Sequence, residues 1–250
     1  MNKINKKIYK NKELILLGLV FDTFGNASAK DGSSILIKPS GVDLSLISKN
    51  DISVVEINSG KLLSGKSPSS DTPTHLEIYR SFPQLGGITH THSPYATAWA
   101  QTGNSIPCLG TTHADYWRGE IPVTRPMTDQ EISGDYEKET GKVIVETINK
   151  MCMDPLECPG ILVMCHGPFT WGKTIEEAVK NAEMLEYIDN SGGEKFPFHT
   201  NGRVLRIATA EDLGRMSLLK SRVRDHTKVV NKLVEEHQLP MKIVDVEPIL

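Results

Sequence analysis

The chain has 250 residues, with a hydrophobic share of 38%, a charged share of 24% and a formal net charge of −3. That length allows one large domain with a short appendage, and the balance describes a folded globular protein rather than a disordered chain or a polyanion binder, so no nucleic-acid partner is expected. No apolar run approaches the roughly 20 residues needed to cross a bilayer, and the lysine-rich start lacks the long apolar stretch and cleavage site of a secretory signal; a cytoplasmic protein with no membrane role is expected.

In chain order, Ile4 to Leu17 has the spacing of an opening helix, diluted by lysines and asparagines. Short β-like runs follow at Ser34 to Lys38, Ile52 to Glu56, Gly87 to His92 and Gly160 to Cys165, each bounded by Gly, Pro, Asp or Ser. Helical stretches alternate with them at Thr72 to Phe82, Ser93 to Thr102, Asp129 to Lys150 and Thr174 to Asp189. The sum is a mixed α/β domain. From Asn190 to Thr200 the sequence turns to Ser-Gly-Gly, Pro and polar residues, which marks a linker and divides the chain into 1–190 and 191–250. The second piece has a β-α-β outline. Arg203 to Ile207 reads as a strand, and Thr209 with Asp212 has the form of a capping box. A helix on Leu213, Met216, Leu219, Val223, Val230 and Leu233 then runs to Pro240, and Met241 to Glu247 is strand-like. Cys108, Cys152, Cys158 and Cys165 form no C-x-x-C pair and read as reduced, mostly buried thiols.

The sharpest local signal is Ile88-Thr89-His90-Thr91-His92. A strand period of two puts His90 and His92 on one face. A third histidine, His166, follows the apolar run that ends at Cys165 and precedes Gly167. Three histidines hold zinc while leaving a coordination position open, which suits a Lewis-acid catalyst rather than a closed structural site. An H-x-H pair taken alone is more often two satisfied histidines on a strand. His75, His113, His199, His226 and His237 are assigned no role.

Three segments have the small residues and donors that suit an anion: Phe24 to Ser28, Lys38 to Gly41 and Pro68 to Asp71. Ser69, Ser70 and Asp71 stand just before Thr72-Pro73, a proline position typical of a first helical turn, where hydroxyls and unpaired N–H groups can hold phosphate. Lys38 would add a charge-assisted contact. The plainer alternative is that Ser69 or Asp71 caps the helix and Ser40-Gly41 is a turn.

The strings GNASA, IKPSGVD, PSSDTPTH, GGITHTHSPYATAWAQ, SIPCLGTTHADYWRGEIPVTRPMT, GDYEKETGKVIVET and HGPFTWGKTIEEAVKNAEMLE occur in this order. Over about residues 14–187 the chain thereby resembles the bacterial L-ribulose-5-phosphate 4-epimerases of the class II aldolase family. The resemblance implies a three-layer α/β/α domain around a mainly antiparallel sheet. It implies one Zn2+ per subunit on His90, His92 and His166 with Asp71 as the associated acidic residue, and a phosphate site from Gly25, Asn26, Lys38, Ser40, Gly41, Ser69 and Ser70. Asp115 matches the catalytic acid/base, and Thr111 and Glu137 match positions that line or support the site. The implied partners are a phosphorylated ketopentose and further copies of the chain, in a homotetramer whose sites lie at subunit interfaces.

The implied chemistry is the arabinose-catabolic conversion of L-ribulose 5-phosphate to D-xylulose 5-phosphate. The bond between carbons 3 and 4 breaks in a retro-aldol step and re-forms on the other face, with the phosphate anchor retaining the aldehyde fragment. Aldolases for fuculose or rhamnulose phosphates share the H-x-H core but generally carry Glu where this chain has Asp71, and aldol cleavage is the alternative activity. The second acid/base of the family is a C-terminal tyrosine supplied across a subunit boundary, and here the chain departs: its last tyrosine is Tyr187. Tyr116 and Tyr136 belong to other motifs and do not take that role. From Gly202 onward the patterns VLRIATAEDL and HQLPMKIVDVEPIL resemble a truncated piece of the regulatory domain of YaaT-like proteins, which leaves an impaired enzyme acting as a regulatory or interaction protein as a third reading.

Overall fold

The computed structural model describes residues 11–191 except 21–22, 44–45, 49 and 152. The expected strands and helix beyond residue 202, and the first residues of the opening helix, lie outside the described residues; residues 11–16 are helical.

Seven strands form one sheet in the order β4-β3-β2-β1-β5-β7-β6, and every adjacent pair is antiparallel. They are β1 (Asn26–Asp31), β2 (Ser34–Ile37), β3 (Ser53–Glu56), β4 (Leu62–Ser64), β5 (Gly87–His90), β6 (Gly160–Val163) and β7 (Gly167–Gly172). The helices are α1 (Thr72–Ser81), α2 (Pro94–Thr102), α3 (Thr111–Tyr116), α4 (Asp129–Ser133), α5 (Tyr136–Lys150) and α6 (Ile175–Ser191). No helix among the described residues is long and apolar enough to cross a membrane.

Register decides what each face of the central strands meets. Asn26 pairs with His90 and Ser28 with Ile88, while His90 pairs with Phe169 and Ile88 with Trp171. These side chains share one face, against α1, where Ser28 Oγ lies 2.7 Å from His75 Nδ1 and 3.1 Å from the Tyr79 hydroxyl. The alternate residues Ala27, Ala29, Thr89 and Thr170 face α6. Thr89 and Thr170 share a hydrogen bond of 2.6 Å, and Thr170 Oγ1 donates to the Ala178 carbonyl at 2.9 Å. Gly87 and Gly172 lie on this same face, and α6 sits so close that a β-carbon on either would fall about 2.5 Å from it, 2.4 Å from Ile175 Cα at Gly87 and 2.5 Å from Glu177 Cβ at Gly172. Small residues on one face of the sheet and large ones on the other thus produce the expected three-layer α/β/α order.

The main core lies on the α1 and α5 side, around Ile78, Ile88, Ile144, Ile161, Phe169 and Trp171. A smaller cluster joins Leu14, Leu19 and Val20 to Ala27, Ala29, Ala178 and Val179 under α6. The edge strand β6 is covered rather than open: Leu162 N–H donates to the Pro122 carbonyl at 2.8 Å, and Thr124 N–H to the Leu162 carbonyl at 2.9 Å.

Several expectations shift in detail. The helix expected over Asp129 to Lys150 is two helices, because Ser133-Gly134-Asp135 interrupts it. A capping box of Thr128 and Glu131 starts α4, and Asp135, with Glu137 and Glu139 in the following turn, opens α5. The strand expected to reach His92 ends at His90, and two residues separate it from Ser93, which precedes the first residue of α2, Pro94. Strands β1, β4 and β7 and helix α3 were not expected as elements. Of the described cysteines only Cys158 is buried, whereas Cys108 and Cys165 are exposed, so the expectation of mostly buried thiols fails there.

Candidate metal centre

His90 is carried on the central strand β5 and is almost fully buried, 1% exposed. Its Nδ1 lies 3.0 Å from the Pro168 carbonyl. A carbonyl only accepts, so Nδ1 carries the proton and the Nε2 lone pair is left to face the cluster. His92 Nε2 is 2.8 Å from that nitrogen. The His92 ring is also stacked on Phe24, with centroids 6.0 Å apart. His166 completes the set from the three-residue turn between β6 and β7. Its ring centroid is 4.7 Å from that of His90 and 5.4 Å from that of His92. One ligating atom from each of the three lies within 4.8 Å of the others.

The donor set fits a divalent ion that accepts imidazole nitrogen. Three imidazoles meet at one point, at least one with its tautomer fixed by an outer hydrogen bond, and fewer than four protein ligands leave room for a small molecule. Behind the cluster, Phe169 stacks on His90 at 4.2 Å and 14°. Beyond Phe169 lies His75, wholly buried and touching the same ring edge-on at 5.9 Å. Burial, and secondarily the neighbouring His90, lower the His75 pKa to about 3, so that ring is neutral.

The three segments read as anion-binding come together in space. Asn26 Nδ2 donates to Asp71 Oδ2 at 2.6 Å and to Ser69 Oγ at 3.2 Å. Ser69 N–H donates to the Lys38 carbonyl, Ser40 N–H to the Ser67 carbonyl, both at 2.9 Å, and the Lys38 ammonium donates to the Thr23 carbonyl at 2.6 Å. Asp71 is the N-cap residue of α1 but makes no side-chain cap hydrogen bond, and Ser69 Oγ accepts from the Asp71 N–H at 3.4 Å, ahead of the helix, rather than from a helical N–H. Asp71 lies outside the group of mutually close ligating atoms; its carboxylate instead meets Asn26, which is the cross-strand partner of His90. Asn26, Lys38 and Ser69 are buried, whereas Ser40, Gly41 and Ser70 are exposed. Gly25 is buried at the entry to β1.

The remaining expected residues are placed differently. Asp115 and Thr111 are exposed on α3, and Asp115 makes no hydrogen bond or ion pair with the described residues. Glu137 is part-buried near the start of α5, and its carbonyl accepts from Thr74 Oγ1. Four residues at the cluster went unassigned in the sequence: Phe24, Phe169, Pro168 and Tyr136. The Tyr136 hydroxyl lies 3.3 Å from His166 Nδ1. Its pKa is raised above the ordinary phenol value, chiefly by burial and then by the charge of Asp71. The Ser-Gly-Asp break before Tyr136 was the signal that could have placed it at a helix start.

The profile of the class II aldolase and adducin N-terminal domain matches residues 7–189. The chain belongs to that family. Among solved structures, this class II aldolase family member is similar to an L-fuculose 1-phosphate aldolase, with 25% identity, a TM-score of 0.67, and 86% of this chain and 93% of that one covered. It is also similar in fold to the L-fuculose-1-phosphate aldolase of Thermus thermophilus, at 22% identity and a TM-score of 0.62 over 77% of this chain and 94% of that one. A sugar-phosphate aldolase from Thermotoga maritima matches at 19% identity and a TM-score of 0.62, over 81% and 97%. Residues 202–250 match a different profile, the PSP1 C-terminal conserved region.

Proposed function

We propose that this family member is a zinc-dependent L-ribulose-5-phosphate 4-epimerase. The observation that carries the reading is the convergence of His90, His92 and His166 beside the Asn26, Ser69 and Asp71 network. Zinc held by the three histidines, with Asp71 as the acidic neighbour, supplies a Lewis acid that favours negative charge on a nearby oxygen.

The protein's own groups do the rest. Ser40, Gly41, Ser69 and Ser70, with Gly25, Asn26 and Lys38, form the anion site, supported by the meeting of the three segments and by the exposure of Ser40, Gly41 and Ser70 to an incoming ligand. Asp115 takes the proton from the carbon 4 hydroxyl as the bond between carbons 3 and 4 breaks into glycolaldehyde phosphate and the enediolate of dihydroxyacetone. The phosphate anchor holds the aldehyde while it turns, so that the same bond re-forms on the opposite face and the oxygen regains a proton. Thr111 lies beside Asp115 on α3, and Glu137 supports α1 through Thr74. The reading includes a homotetramer whose sites lie at subunit interfaces.

Aldol cleavage is the second reading, favoured by the 25% identity to an L-fuculose 1-phosphate aldolase. Aspartate rather than glutamate at position 71 argues for the epimerase. We also place the domain boundary at residues 190–191, supported by profile matches that end at 189 and resume at 202. The test is a time course of the zinc-loaded full chain with L-ribulose 5-phosphate. Appearance of D-xylulose 5-phosphate is expected; release of glycolaldehyde phosphate without the epimer establishes the aldolase, and the absence of both products refutes the enzyme.

A further inference from the structure

The three histidines are held in unequal ways. His90 sits in the middle of the sheet with its Nδ1 proton on a backbone carbonyl. His166 is only half-buried, in a turn of three residues whose central member, Cys165, has φ +61. A left-handed conformation in a residue with a β-carbon costs about 1–2 kcal/mol, so this turn is strained rather than self-stabilising. Its backbone is tied down by His166 N–H to the Val163 carbonyl at 3.0 Å and Cys165 N–H to the Ala100 carbonyl at 3.1 Å. Neither bond fixes the rotation of the imidazole.

The side chain at hand for that task is Tyr136. Its hydroxyl is 3.3 Å from His166 Nδ1, and the two rings lie 6.0 Å apart with a 35° tilt. The tyrosine is itself anchored. It is the first residue of α5, its ring packs on Met127, Ile132 and Val143, and its carbonyl accepts from Thr140 Oγ1 at 2.8 Å. The helix behind it is closely docked, since a β-carbon on Gly141 would fall 2.7 Å from Glu77 Cβ of α1. A phenol both donates and accepts, whereas the ring nitrogen facing it does one or the other.

We propose that Tyr136 is the positioning residue of His166: its hydroxyl oxygen accepts the Nδ1 proton, which orients the ring and leaves Nε2 for the shared ion. The proposal rests on the metal-centre reading. It gives the third histidine the outer partner that Pro168 gives the first, but from a side chain on another element, so the position of α5 is transmitted to the metal site.

The test compares the full-length protein with Tyr136→Phe, which keeps the apolar packing and removes only the hydroxyl. Zinc affinity is measured by competition with a chromophoric chelator, the d–d absorption is recorded after loading with Co2+, and the metal-free proteins are melted by circular dichroism. Zinc affinity is expected to fall 10–100-fold, with altered cobalt bands and a metal-free melting curve close to the original. Affinity unchanged within about twofold overturns the proposal. So does a loss accompanied by an equivalent loss of metal-free stability, which makes Tyr136 a packing residue only. A fall in kcat at saturating zinc with unaltered affinity also overturns it, since that makes the phenol a group acting on substrate. If the unsubstituted protein binds neither zinc nor cobalt, the metal-centre reading fails and takes the proposal with it.

Discussion

Replacing Gly25 by alanine tests how the anion segment and the first histidine are joined. Gly25 has φ +74, where a residue with a β-carbon pays about 1–2 kcal/mol. The added carbon would also fall 2.5 Å from Val20 Cγ1 and 3.0 Å from the His90 carbonyl oxygen. Carbon atoms rest about 3.5–4.0 Å apart, so Val20 must retreat by about 1 Å in a filled cluster, an overpacking cost of about 1–3 kcal/mol. Together these give a loss of about 2–5 kcal/mol. The contact with the His90 carbonyl also pushes on the end of β5 that carries the His90 ring. The assay is urea unfolding followed by circular dichroism, with zinc content measured after dialysis. A loss below about 1 kcal/mol with full zinc content would refute the claim that this position tolerates only glycine.

Three further outcomes are expected. A His90→Ala, His92→Ala double variant should keep its fold and lose zinc together with turnover; retained zinc at one equivalent, measured by atomic absorption, removes the assignment. The buried His75 makes stability fall in acid. Its folded pKa of about 3 lies below the ordinary 6.5, so its contribution is complete above about pH 6.5 and is lost as pH falls towards 3, by about 2 kcal/mol at pH 5. Urea unfolding at pH 5 and 7 should show a smaller pH difference in His75→Gln, and equal differences in the two proteins count against the reasoning. Arg125 bridges Glu131 and Glu146 at 2.7 and 3.0 Å and so ties the 122–126 segment to α4 and α5, with the Glu131 carboxyl held down to about 2 chiefly by that hydrogen bond. Because the arginine is about one-third exposed, Arg125→Met should cost only about 1 kcal/mol by thermal melting, with the difference shrinking at 1 M salt.

The sequence made the histidine trio legible through the H-x-H spacing, although only His90 lies within β5, and through the buried apolar run of β6 that precedes the third. It did not make β1 legible. Asn26 to Asp31 reads Asn-Ala-Ser-Ala-Lys-Asp, with no β-branched or aromatic residue, and it becomes a central strand because α6 demands small residues beneath it. The strand β7 had a signal in Phe169-Thr170-Trp171, but the glycines and proline around it read as loop. The helix break at Gly134 was written in Ser-Gly-Asp yet hidden by the helical spacing on either side. Asp115 could be named by resemblance alone, because it is exposed on α3 and makes no hydrogen bond or ion pair with the described residues that would single it out.

The centre depends on register as much as on residue identity. A slip of one residue in β5 would turn His90 towards α6 and place Thr89 beside Asn26 and Phe169, so the same histidines in the same sequence would hold nothing. What forbids the slip lies on the opposite face. Thr89 is bonded to Thr170, which is bonded to the Ala178 carbonyl, and Gly87 and Gly172 admit α6 so closely that a side chain in their place would strike it. The far side of the sheet therefore selects which side chains reach the histidine cluster. The small residues under α6 are as much a part of that site's specification as the imidazoles, although none of them touches it.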